Sequence, residues 1–183
     1  MAIKGTNRGT NPGGWFVNRE LAGGGAVIDH TVHVVDVMRS MMKAEVTEVY
    51  AEVERAFSDV EIDDAGILTM EFSNGVVASL DCSWSRNASF PTWGDVTMEV
   101  VGTKGSISID TFGQHLEEYS NSTGYKYRYW GDDMNAALIR DFVTNAAEAT
   151  PPAVSGYDGL KALEVALAAY QSAKYHTPVK IEK

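Results

Sequence analysis

The chain has 183 residues, 44 % apolar and 22 % charged, with a formal net charge of −10 and a pI near 4.8. That length suits one domain of roughly 100–200 residues with its own core, and the acidity excludes the basic footprint needed for DNA or RNA or for an anionic membrane surface. A single cysteine, Cys82, rules out an internal disulfide and suits a reducing compartment.

Residues 2–8 (AIKGTNR) read as a short strand, and GTNPGG at 9–14 as a loop, from its Gly, Asn and Pro content. The start MAIKGTNRG has no hydrophobic signal core, and no later run approaches the ~20 apolar residues of a membrane span. A cytoplasmic protein is expected. From Ala26 to about Met42 the apolar residues are dense (Val27, Ile28, Val32, Val34, Val35, Val37, Met38). The segment is too long for a strand and reads as a mostly buried helix.

A long β region follows. Residues 46–57, 64–75 and 76–85 alternate with period two, and Asn74-Gly75 between two such runs is a hairpin signal. Residues 95–110 repeat the pattern around the turn Gly102–Gly105, and 115–120 with 125–130 form a last antiparallel pair. Cys82, in an apolar run of this region, reads as a buried thiol rather than a nucleophile. The period then changes. From Asp132 to about Ala149 the spacing is helical, with Asp132 or Asp133 as N-cap. Residues 156–175 are a second, alanine-rich helix, and 178–182 a final strand. Strands followed by helices predict a single α+β domain over 1–183, with an antiparallel or mixed sheet and helices on one face. The alternation places Leu68, Met70, Val96, Met98 and Val100 on the other face, where a two-fold dimer would cover them.

No GxGxxG follows a strand, and there is no Walker A, CxxC, HExxH or GxSxG. The chemistry concentrates instead in GGGAVIDHTVHVVDVMR, residues 23–39. Asp29 and His33 are four residues apart and Asp36 three further on, so all three lie on one helical stripe, with His30 at its border. Such a stripe in an apolar helix faces a polar cavity, a partner charge or solvent. Three readings stay open. The group is a satisfied structural network; or His33 moves a proton while Asp29 orients it or binds a hydroxyl; or His33 and the carboxylates hold a metal. The glycines let the chain turn sharply and let backbone or ligand approach. Further on, the loop NASFPTW (87–93) carries Phe90, Pro91 and Trp93, suited either to roofing a sugar or to covering the sheet edge. Arg86 before it reads as a candidate for a hydroxyl or carboxylate.

Trp15-Phe16, Ala22 to Gly25, Asp29, His33 and Asp36 together resemble the start of the C-terminal domain of the Gfo/Idh/MocA oxidoreductases. Ser83-Trp84-Ser85, Gly102 to Ser106 and Tyr157 to Glu164 follow in the family's order. The resemblance implies an α+β fold of the glyceraldehyde-3-phosphate dehydrogenase C-terminal type: a large open, mostly antiparallel mixed sheet with helices on one face. It implies an NAD(P)-dependent oxidoreductase acting on a sugar, polyol or related hydroxyl compound. His33 and Asp29 match the catalytic pair, His30 a substrate-contacting position, and Asn11 a substrate-binding asparagine. It implies no metal, and a homodimer or tetramer through the open sheet. The family's N-terminal Rossmann domain and its Glu-Lys-Pro motif lie outside these residues. No NAD or NADP is therefore expected on this chain itself, which reads as part of a longer enzyme. The alternative is a standalone, non-catalytic oligomerisation or sugar-binding module.

Overall fold

A computed structural model describes residues 1–182. Its main sheet has seven strands in the order β6-β5-β1-β4-β3-β2-β9. In chain order these are β1 (Ala2–Thr10), β2 (Val46–Glu54), β3 (Ala65–Phe72), β4 (Val77–Arg86), β5 (Gly94–Gly102), β6 (Gly105–Asp110) and β9 (Val179–Lys180). Only β1 and β4 run parallel; the other neighbours are antiparallel. A separate hairpin joins β7 (His115–Ser120) to β8 (Gly124–Tyr129). Of the helices, α1 is one turn (Arg19–Ala22), α2 runs Ala26–Met42, α3 Met134–Glu148 and α4 Gly156–Tyr175.

The expected elements form where the periodicities place them. Asp133 caps α3, its side chain accepting from the Ala136 N–H at 3.0 Å. Ser155 and Asp158 close a reciprocal capping box on α4, which satisfies N–H groups that a helix start leaves unpaired. The expected strand 46–57 stops at Glu54. Beyond it, the buried Asp64 carboxylate gathers the N–H groups of Ala56, Phe57 and Ser58 into a tight loop.

Helices α2 and α4 cover one face of the sheet. Val34, Val35 and Met38 of α2 and Val165 and Ala169 of α4 meet Ile3, Leu68, Met70, Leu80 and Val100 in one core. Full burial of such a side chain stabilises by roughly 1.5–3 kcal/mol. The alanines of α4 bring it close enough for Ser172 Oγ to accept the Ala51 N–H of β2 at 3.0 Å.

Two expectations are corrected. Leu68, Met70, Met98 and Val100 are not on the open face: all four are buried beneath the helices, and Val96 packs against the same core. Alternation assigns residues to two faces but does not say which one the helices choose. The open face carries Lys4, Thr69, Ser79 and Glu99, with Ile67, Val77 and Val101 about half exposed among them. The second correction concerns α3, which does not join the helical layer. None of its residues is buried, and Leu138, Ile139, Phe142 and Val143 are exposed.

Candidate functional site

The site is built on the first two turns of α2. No side chain of the preceding glycines can cap this helix. The loop before β3 does so instead. Asp63 Oδ1 accepts the Gly25 N–H at 2.9 Å and Oδ2 accepts the Val27 N–H at 2.8 Å. The Asp63 carbonyl takes the Ala26 N–H at 2.9 Å. The Tyr170 hydroxyl of α4 donates to Asp63 Oδ1 at 2.9 Å and accepts the Ile28 N–H at 3.3 Å. Burial, then the Asp63 charge, push the Tyr170 phenol far above its ordinary value, so it stays a neutral donor. Gly25 is obligatory for this junction, because a Cβ there would lie 1.8 Å from the Asp63 carbonyl oxygen. A carboxylate at a helix N-terminus also opposes the helix dipole favourably.

This anchoring aims Asp29 and His33 outward. They line a hollow of about 240 Å³ together with Trp15, Phe16, Ile28 and Trp84. Asp29 is half-buried and His33 exposed. Asp29 Oδ2 accepts the indole N–H of the buried Trp84 at 3.2 Å, which fixes the carboxylate. Trp15 and Phe16 stack with ring centroids 4.0 Å apart at the rim. The His33 imidazole has no hydrogen-bond partner among the described residues and stands open to a ligand.

The remaining expected residues divide differently. Asp36 turns from His33 to Arg39, at 3.4 Å. That guanidinium is buried and also holds Glu45, at 2.6 Å, and Asp158, at 3.5 Å. Asp36 thus serves the far end of α2. His30 is buried and does not line the hollow. Asn11 is exposed on its loop, donating to Ser58 Oγ at 3.2 Å. Arg86 pairs with Asp95, as does Arg8, and lies over the Phe90 ring at 4.6 Å. Trp93 from the same loop stands edge-on to His30, centroids 6.4 Å apart. Neither Phe90 nor Trp93 lines the hollow of Asp29 and His33.

Sequence reasoning missed Asp63 and Tyr170. Neither sits on a periodic stripe near the site, and the one trace they leave is Gly24-Gly25, where a Cβ would lie 2.5 Å from the Tyr170 hydroxyl and 1.8 Å from the Asp63 carbonyl oxygen.

No group of three or more His, Cys, Asp or Glu side chains suited to a metal occurs among the described residues. The N–H groups at the start of α2 are taken by Asp63 and Tyr170, so this glycine-preceded helix start does not fit a pyrophosphate. No described helix is long and apolar enough to cross a membrane.

A family model described as the GFO/IDH/MocA C-terminal domain matches residues 2–108. This chain belongs to that family. Among curated relatives, the myo-inositol 2-dehydrogenase of Thermotoga maritima is 32 % identical over 172 residues, 87 % of this chain and 50 % of its own length. The D-xylose 1-dehydrogenase [NADP(+)] of Haloarcula marismortui is 30 % identical over 103 residues, 55 % of this chain and 27 % of its own length. Among solved structures, GenD2 from gentamicin A biosynthesis, in complex with NAD, superposes with a TM-score of 0.89 at 25 % identity, covering all of this chain and 56 % of GenD2. This chain spans about half the length of the first of these relatives. The Gfo/Idh/MocA C-terminal architecture, a large mostly antiparallel sheet with helices, is the one observed.

Proposed function

We propose that this chain shapes the substrate site of an NAD(P)-dependent dehydrogenase acting on a sugar, polyol or related hydroxyl compound. The observation that carries the reading is the pairing of Asp29 and His33 on the wall of one small, solvent-reached hollow. His33 takes the proton of the reacting hydroxyl, or returns it in the opposite direction, as an imidazole without a hydrogen-bond partner among the described residues can. Asp29, fixed by Trp84, accepts a hydrogen bond from a neighbouring hydroxyl and aligns the substrate. The Trp15–Phe16 stack offers its surface to the C–H face of the ring. The nicotinamide belongs to the half of the relatives that this chain does not span. Names among the relatives support the substrate class: an inositol dehydrogenase and a xylose dehydrogenase.

Myo-inositol added to the chain should show saturation-transfer NMR contacts that weaken in Asp29→Asn. Joined to a dinucleotide-binding domain in one polypeptide, the chain should lose about 10²–10⁴-fold in kcat on His33→Ala. Unchanged turnover in that variant refutes the assignment. Sugar binding indifferent to both substitutions, with no turnover, supports the non-catalytic module.

Copies of the chain meet through the open sheet face, where Ile67, Val77 and Val101 are about half exposed, as a dimer or tetramer. Val77→Glu should then lower the mass measured by sedimentation equilibrium, and a wild-type monomer refutes this contact. A cytoplasmic setting suits the free, buried thiol of Cys82.

A further inference from the structure

His30 has no part in the proposal so far, yet its ring is fixed on every side. It is 4 % exposed. Nδ1 lies 2.7 Å from the Asn7 carbonyl oxygen. That oxygen can only accept, so Nδ1 carries a hydrogen. The Asn7 side chain in turn donates to the His30 carbonyl at 3.1 Å, clamping ring and backbone to β1. Gly9 makes room for the ring: a Cβ there would lie 2.9 Å from His30 Cε1. Trp93 closes the outer side.

With Nδ1 committed, the chemistry at Nε2 follows. Nε2 lies 3.4 Å from Asp29 Oδ2, the same oxygen that accepts the Trp84 N–H. In the neutral ring Nε2 is a lone pair, so two acceptors face each other. A proton between them turns the contact into an attraction.

We propose that His30 and Asp29 act as one proton-accepting pair behind the hollow, and that the charge on His30 sets how freely Asp29 accepts a substrate hydroxyl. His30 is thus a positioning residue, acting through Asp29; its role in catalysis rests on the dehydrogenase reading above. With a neutral ring, Asp29 keeps its outer lone pairs for the substrate. With an imidazolium, Nε2–H draws Oδ2 inward and competes with the substrate for it.

The groups whose charge or contact reaches the ring are Asp29 and His33 on α2, Asp81 on β4 through its charge alone, the Asn7 carbonyl on β1 and the neutral Trp93 indole. Burial is the strongest influence and pushes the imidazole below its ordinary value. Asp29 opposes it most, the Asn7 hydrogen bond and Asp81 help Asp29, and His33 adds to the lowering. The neutral ring is therefore the resting form near pH 7, and acidification engages the pair.

The test is long-range ¹H–¹⁵N NMR of the full chain, carrying ¹⁵N-labelled histidine, titrated with acid. The expected neutral tautomer of His30 is Nδ1–H. In Asp29→Asn the proton affinity of the ring should fall about tenfold, as expected on removing an opposite charge at this range. An Nε2–H tautomer, or a titration that Asp29→Asn leaves in place, overturns the proposal. Should that variant not fold, the wild type decides by the carboxyl ¹³C shift of Asp29: it should move in step with the His30 ring on acidification, and a carboxyl unmoved by the ring's titration overturns the proposal. No sugar or dinucleotide is needed, so a coupled pair found alongside unchanged turnover in His33→Ala refutes the catalytic assignment above and leaves the pair standing.

Discussion

Asp63→Ala should be among the most damaging single changes outside the core, although the residue is a loop carboxylate. It removes the acceptors of the Gly25 and Val27 N–H groups, at 2.9 and 2.8 Å, and of the Tyr170 hydroxyl, at 2.9 Å. Loss of a helix cap costs ~1 kcal/mol, and a hydrogen bond to a charged group is worth roughly 1.5–3 kcal/mol net. The backbone carbonyl of residue 63 still holds Ala26, and water can reach part of the site. A net loss of about 3 kcal/mol follows. For a chain of this size each kcal/mol lowers Tm by about 2–4 °C, so calorimetry should show a fall of about 6–12 °C. Asp63→Asn keeps one acceptor oxygen and should fall in between. A Tm for Asp63→Ala within about 1 °C of wild type, below 0.5 kcal/mol on the same scale, would show that α2 is not anchored in this way. The positions of Asp29 and His33 would then need another explanation.

Asp64→Asn should cost about 2–3 kcal/mol in urea melts at pH 7, from the loss of charge-assisted bonds to the 56–58 loop. Burial alone would raise the Asp64 carboxyl, but the Ala56 and Ser58 hydrogen bonds outweigh it and hold the group below the usual carboxylate range. A lowered folded value stabilises above the unfolded value of ~3.9 and fades as pH falls through the folded one. Acid melts of Asp64→Asn should therefore be flatter than wild type below about pH 4; identical curves refute this. Cys82 is fully buried and burial pushes its thiol up to about 12, so a thiol reagent at pH 8 should label it only in urea; rapid native labelling refutes its placement. The corrected face of β3 is tested by a neighbouring pair: Leu68→Ala should cost about 2–5 kcal/mol and Ile67→Ala, half exposed, less than about 1 kcal/mol in the monomer. Equal losses, or the reverse order, would return Leu68 to the open face.

What the sequence determined by itself is local. Helix α2 spans Ala26–Met42, as its apolar density predicts, and α4 begins after Ser155 where helical spacing resumes. Periods of two and 3.6 follow from backbone geometry, so they are readable without a partner. The i, i+4 relation of Asp29 and His33 is of the same kind, and it survives in the shared hollow. Tertiary structure alone decided the rest. Alternation along β3 could not say whether Leu68 or Ile67 meets the helices, since that depends on which side α2 and α4 dock. The stripe could not separate Asp36 from His33, because the Arg39 network that claims Asp36 includes Asp158 from α4. Nor could it show His30 inside, beside Gly9 of β1, or α2 capped by Asp63, 38 positions away. Each is a contact between segments distant in the chain, where spacing along one element carries no information.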